Sequence, residues 1–168
     1  MRVAEFFMQP GCRVVGGLTA WPLSMTDSST SLRYQFDVSG GDFAKAGDAS
    51  SKVKRILQQI GANPEIVRRI AVACYEAEMN IVIHADHGSV TLEAGLDGVT
   101  VTVEDVGPGI PDIEQAMQPG FSTAPDSVRE LGFGAGMGLP NMKNCSSEMV
   151  VESEPGVGTR VRMVFANG

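Results

Sequence analysis

The sequence predicts an α+β fold, a two-layer sandwich in which a mixed, antiparallel-dominated sheet carries helices on one face. Three observations predict it. Apolar and polar residues alternate in several short segments, apolar residues recur at helical spacing in two longer ones, and Gly, Pro and Asn turn signals separate them. With 168 residues and 43% apolar side chains, the chain can bury one sizeable core.

Residues 1–31 read as an N-terminal extension and linker, and residues 32–168 as the domain. The longest uncharged stretch of the extension, Val14 to Thr26, contains Gly16, Gly17 and Pro22 and is too short to span a bilayer. Glu5 interrupts what would be the apolar region of a signal peptide. The run from Thr26 to Ser31 is linker-like, so loose attachment is expected, with Phe6, Phe7 and Trp21 free to dock on this domain or a partner. Leu32, Tyr34, Phe36 and Val38 then alternate with polar residues as in a half-buried strand. Asp42 to Ile60 reads as a helix ended by Gly61, and Asn63-Pro64 starts a second helix to about Ala85. In that second helix Ile66, Ile70, Ala73, Ala77 and Ile81 keep the apolar spacing. Two alternating segments, around Val90–Ala94 and Val99–Val103, flank an Asp97-Gly98 hairpin turn. A short helix after Pro111, a Gly/Pro/Ser loop from about Pro119 to Gly134 and a helix from about Gly136 to Ser146 follow. Strands at Glu148–Ser153 and Thr159–Phe165 close the chain.

Thirteen basic against 20 acidic side chains leave a net charge of −7. That balance argues against nucleic acid or an anionic membrane as a partner, since phosphate surfaces need clustered Lys and Arg. Cys12, Cys74 and Cys145 lie far apart, so neither a disulfide framework nor a zinc site is expected, and a reducing cytoplasm is the expected compartment. The 20 glycines exceed the ~7% of average usage. Seven of them fall between Asp105 and Gly138, which calls for a local cause.

Candidate chemistry sits on three segments. Glu76, Asn80 and His84 are spaced to share one side of the second helix. A carboxamide oxygen there can coordinate Mg²⁺ and a carboxylate can orient or deprotonate a hydroxyl, the alternative being a solvated helix face. Glu78 lies off that stripe and is expected at the surface; His84 is expected to be packed or at the helix end, and His87 incidental. Asp105 falls in the buried phase of Val99, Val101 and Val103, where a carboxylate needs a partner. It is a candidate acceptor for an exocyclic amine such as that of adenine, or else a cap for the helix after Pro111. Thr159 shares the inward phase of Val161, Met163 and Phe165. The run Gly132-Phe-Gly-Ala-Gly-Met-Gly138 precedes a helix and can gather backbone N–H groups around a phosphate. Walker, dinucleotide-binding and HRD/DFG motifs do not occur.

In order and spacing, Glu76-x-x-x-Asn80, Asp105-Val-Gly107-Pro-Gly109, Gly132–Gly138 and Gly158-Thr159 resemble the boxes of the GHKL ATP-binding superfamily, from about Leu32 to Phe165. The likeness is nearest to stand-alone serine kinases of bacterial partner-switching modules, the anti-sigma factors and switch kinases, through Asp105–Ile110, Gly120-Phe-Ser-Thr123 and Gly136-Met-Gly-Leu139. The resemblance implies a Bergerat fold and an ATP-dependent protein serine/threonine kinase using Mg²⁺. It implies Glu76 as the catalytic carboxylate, Asn80 as the Mg²⁺ ligand, and Asp105 as the receiver of the adenine amine beside Thr159. Gly107, Gly109, Ile110, Ser122, Thr123, Gly132, Gly134, Gly136, Met137, Gly138 and Leu139 become further ATP contacts. The segment from Phe121 to Gly138 becomes a lid, in which Arg129 is the γ-phosphate candidate and Lys143 a weaker one. The implied partners are a STAS-domain antagonist and a sigma factor or other regulator, with homodimerisation open. A nucleotide-gated binding module and a histidine-kinase ATP-binding domain are the alternatives; the latter needs a phospho-accepting His on a dimerisation helix, and only His84 and His87 exist. Ile81 stands where the family often has a small residue, and the extension matches no part of the pattern.

Overall fold

The computed structural model describes the backbone of residues 12–14 and, in full, residues 31–166. Strand β1 (Cys12–Val14) lies parallel to β5 (Glu148–Glu154), with Cys12 opposite Met149 and Val14 opposite Val151. The other pairs are antiparallel: β5 with β6 (Gly158–Ala166), β6 with β4 (Gly98–Val106), β4 with β3 (His87–Gly95), and β3 with β2 (Leu32–Ser39). The result is a six-stranded sheet in the order β1-β5-β6-β4-β3-β2, the mixed, antiparallel-dominated sheet that the alternation predicts. Strand β1 was not expected, because it comes from the extension. Residues 1–11 and 15–30, including Phe6, Phe7 and Trp21, lie outside the described residues.

Register explains why one face is a core. Val90, Val103, Val161 and Val151 stand in one row across the sheet, and Leu92, Val101, Met163 and Met149 in the next. Every one of these side chains is buried, and each row is covered by the helix layer. That layer consists of α1 (Asp48–Gln59), α2 (Pro64–His84) and α5 (Gly138–Cys145). Val53 and Leu57 of α1, Ile70, Ala73, Ala77 and Ile81 of α2, and Leu139 and Met142 of α5 complete the cluster. Two short helices, α3 (Ile113–Ala116) and α4 (Asp126–Glu130), lie between β4 and α5, the latter inside the stretch expected to be a loop. Among the described residues no helix is long and apolar enough to cross a membrane.

The helix starts follow from their caps. Asn63 Oδ1 accepts from Glu65 N at 2.9 Å, and Pro64 occupies the first turn of α2. Helix α1 begins at Asp48 rather than at Asp42, because Gly40 N donates to Asp86 O (2.9 Å) and Gly41 N to Val82 O (2.8 Å). Those bonds tie the preceding turn to the end of α2.

Glu78 corrects the sequence reading. Expected at the surface, it is 1% exposed. Its Oε1 accepts from Ala49 N (3.0 Å) and its Oε2 from Ser50 N (2.9 Å). The cap position of α1 is Gly47, which has no side chain to do this. Two residues turn a helix by roughly 200°, so Glu78 faces away from the Glu76 stripe, but α1 covers that side. Glu78→Ala strands two buried N–H groups and is expected to cost about 3 kcal/mol, lowering Tm by roughly 6–12 °C. A thermal melt within about 2 °C of wild type contradicts this account of the α1 start.

Candidate functional site

One step beyond the apolar rows, the inner faces of the strands turn polar. Gly88 stands opposite Asp105, and Ser153 opposite Thr159. Thr159 N donates to Asp105 Oδ1 at 3.1 Å. Ser153 Oγ donates to Gly158 O (2.9 Å), accepts from Ile110 N (2.7 Å) and lies 2.9 Å from Thr159 Oγ1. A serine hydroxyl has one proton. With that proton on Gly158 O, Thr159 is the donor to Ser153 and keeps acceptor lone pairs of its own.

Asp105 is half-buried, and that burial pushes its carboxyl above the usual carboxylate value, with the Thr159 N–H pulling the other way. No ion pair forms with it among the described residues. The capping role that was its alternative belongs instead to Asp112, whose Oδ1 accepts from Gln115 N at 2.9 Å at the start of α3. Asp105 therefore presents a poorly solvated acceptor to the space beside it, where a donor group is favoured.

That space is a cavity of about 460 Å³ bounded by α2, the ends of β4 and β6, the loop Pro108–Pro111 and the glycine-rich segment before α5. Glu76, Asn80 and His84 all line it, so the helical stripe faces a cavity wall rather than solvent. Burial holds the His84 imidazole below its ordinary pKa. Helix α5 enters the wall end-on at Gly138. A Cβ there would stand 3.3 Å from Asn80 Oδ1 and 3.5 Å from Glu76 Oε2, so the missing side chain leaves room beside both groups. Gly136 has a φ of 74°, and a Cβ on it would meet Gly120 C and Phe121 O at 2.5 Å. Its carbonyl also accepts from Gly120 N at 2.9 Å. The two limbs of the Phe121–Gly138 segment thus meet at a narrow base.

Gly109, Ile110, Ser122, Thr123, Gly132, Gly134, Met137, Leu139 and Thr159 also line the cavity. Gly107 does not; it packs between Ala85 and Asp105 from behind. Arg129 does not either. Its Nη2 donates to Ser122 O at 2.8 Å, and it borders a smaller space of about 370 Å³ that shares Ser122 and residues 132–135 with the wall of the main cavity. Lys143 is exposed in the last turn of α5, and His87 is exposed at the start of β3. Among the described residues no Lys or Arg lines the main cavity.

Two residues at the site escaped the sequence reading. Ser153 shares the inward phase of Met149 and Val151, a signal that was available. Asn141, one turn into α5, donates from Nδ2 to Glu76 Oε1 at 2.7 Å. Its only signal was its distance of one turn from the glycine run.

A family model described as a histidine kinase-like ATPase domain matches residues 42–165. The chain belongs to the histidine kinase-like ATPase family. It is 39% identical over 120 residues to an anti-sigma F factor of Thermoanaerobacter sp., an alignment covering 68% of this chain and 80% of that protein. Over 115 residues it is 32% identical to the serine/threonine-protein kinase RsbT of Bacillus subtilis, covering 66% and 80%. Over 143 residues it is 31% identical to an anti-sigma F factor of Clostridium beijerinckii, covering 82% and 93%. These relatives support the GHKL resemblance and its partner-switching branch. The matched histidine kinase-like ATPase span contains the whole cavity wall and leaves out β1 and β2.

Proposed function

We propose that this chain is an ATP-dependent protein serine/threonine kinase acting on a STAS-type antagonist in a partner-switching or anti-sigma regulatory system, with a sigma factor or other regulator as a further partner. One observation carries the reading: a single cavity holds the poorly solvated acceptor Asp105 in one wall and Glu76 with Asn80 beside the start of α5 in another. The printed names of the relatives, anti-sigma F factors and a serine/threonine-protein kinase, support it.

Asp105 and Thr159 would accept from the adenine amine, and Ser153 would hold Thr159 in place. The first N–H groups of α5 and the backbone of the glycine run would face the phosphates. Among the described residues no three His, Cys, Asp or Glu side chains gather into a metal cage. Mg²⁺ binds through one or two protein oxygens together with substrate phosphates and water, and Asn80 Oδ1 fits that role. When bound, the ion neutralises charge on the transferring phosphoryl group. Glu76 would orient the acceptor hydroxyl and take its proton as the new oxygen–phosphorus bond forms and the bond to the ADP oxygen breaks.

A second reading, nucleotide-gated binding without transfer, is favoured by the lack of Lys and Arg among the described residues of the cavity wall. Incubating the full chain with labelled ATP, Mg²⁺ and STAS-domain proteins separates the two. Label on a partner Ser or Thr is the expected result; nucleotide binding with no label on any partner supports the second reading. In a thermal-shift assay, Mg-ATP at 100 times its Kd is expected to stabilise the chain by about 2.7 kcal/mol, and Mg-GTP far less. Equal stabilisation by both nucleotides overturns the adenine assignment.

A further inference from the structure

We infer that Asn141 is a positioning residue that fixes the Glu76 carboxylate, an inference that rests on the kinase reading above. The first turn of α5 meets that carboxylate at both oxygens. Oε1 accepts from Asn141 Nδ2 at 2.7 Å, and Oε2 is the oxygen beside Gly138. Asn141 is not among the residues lining the cavity, so it reaches the chemistry only through Glu76.

Its own placement is rigid. Leu139 and Met142 bury the neighbouring positions in the core, and Asn141 N donates to Met137 O at 2.8 Å. A glutamate side chain has several rotatable bonds, each with alternative wells. A short hydrogen bond from a second, packed helix selects one arrangement and leaves the other carboxylate oxygen on the cavity side. The partner must be a donor, because a carboxylate oxygen accepts, and the Asn141 amide supplies one through Nδ2. An aspartate of the same shape would lack the donor and set two carboxylates against each other.

Asn141→Ala is therefore expected to lower kcat for phosphotransfer by about 10- to 100-fold, with KM for ATP and Tm near the wild-type values. Asn141→Asp is expected to lose at least as much, and Asn141→Gln, which keeps the donor on a longer arm, to retain more than Asp. These two variants keep the test open if the alanine variant fails to fold. In a Glu76→Gln background, Asn141→Ala is expected to cause no further loss. An unchanged kcat in Asn141→Ala, a loss confined to KM, or additive losses in the double variant each overturn the assignment. A wild-type chain that binds Mg-ATP yet labels no acceptor overturns the kinase reading and this assignment together. That result is distinguishable because it needs no variant.

Discussion

Glu76→Gln is expected to cut phosphotransfer by roughly 10²- to 10⁴-fold, the usual range for loss of a positioned general base, while Kd for Mg-ATP changes by less than about 3-fold. Glutamine keeps an oxygen for the Asn141 Nδ2 donor and a side chain of the same length against Gly138, so the α2–α5 contact survives. What it loses is the capacity to take a proton. Single-turnover transfer measured beside equilibrium nucleotide binding reads the two effects separately. Transfer at the wild-type rate would show that another group handles the acceptor hydroxyl. A parallel collapse of nucleotide affinity would show that Glu76 is a binding residue.

Asp105→Asn is expected to weaken adenine-nucleotide binding by about 100-fold or more, as the loss of a charge-assisted hydrogen bond in a poorly solvated site implies. An amide could turn its own NH₂ toward the adenine amine and leave two donors facing each other. Unchanged affinity would refute the assignment of this end of the cavity. The same substitution has an opposite effect on the nucleotide-free chain. Burial raises the Asp105 pKa above its ordinary 3.8, so the folded chain holds that proton to higher pH than the unfolded chain. Its contribution to stability is then fully present below 3.8 and is lost as pH rises through the folded-state value. At neutral pH the ionised carboxylate works against folding, and the amide removes that penalty. The variant is expected to melt above wild type at neutral pH, with the gap closing toward pH 4. A variant that melts lower at neutral pH would mean that the Thr159 N–H bond outweighs the cost of burial.

The sheet was legible because its alternation is strict. Val99, Val101 and Val103 fix a phase that puts Asp105 on the inner face, while its place beside Thr159 comes from the pairing of β4 with β6. The stripe Glu76–Asn80–His84 was likewise readable from helical spacing, although only the packing of α5 shows that it faces a cavity. Other features depended on long-range contacts that spacing cannot carry. Glu78 reads as solvated until α1 is laid across it, and the bond from Asn141 to Glu76 joins residues 65 positions apart. Arg129 is the γ-phosphate candidate as a cation of the implied lid, and the sequence carries no signal for the bond its guanidinium makes to the carbonyl of Ser122. Strand β1 was missed because a three-residue segment is too short to display a period.

The two glutamates near the middle of α2 bear on how a mutational survey of this chain will read. Glu76 looks into the cavity and Glu78 looks the other way, holding α1 against the helix that aims Glu76. A screen scored only by loss of signalling would return both positions, two residues apart and alike in phenotype, and invite the conclusion that the chemistry uses a pair of acids. Protein abundance scored alongside output separates them. Glu76 variants are expected to accumulate normally and give no output, whereas Glu78 variants are expected to be depleted before they can be tested.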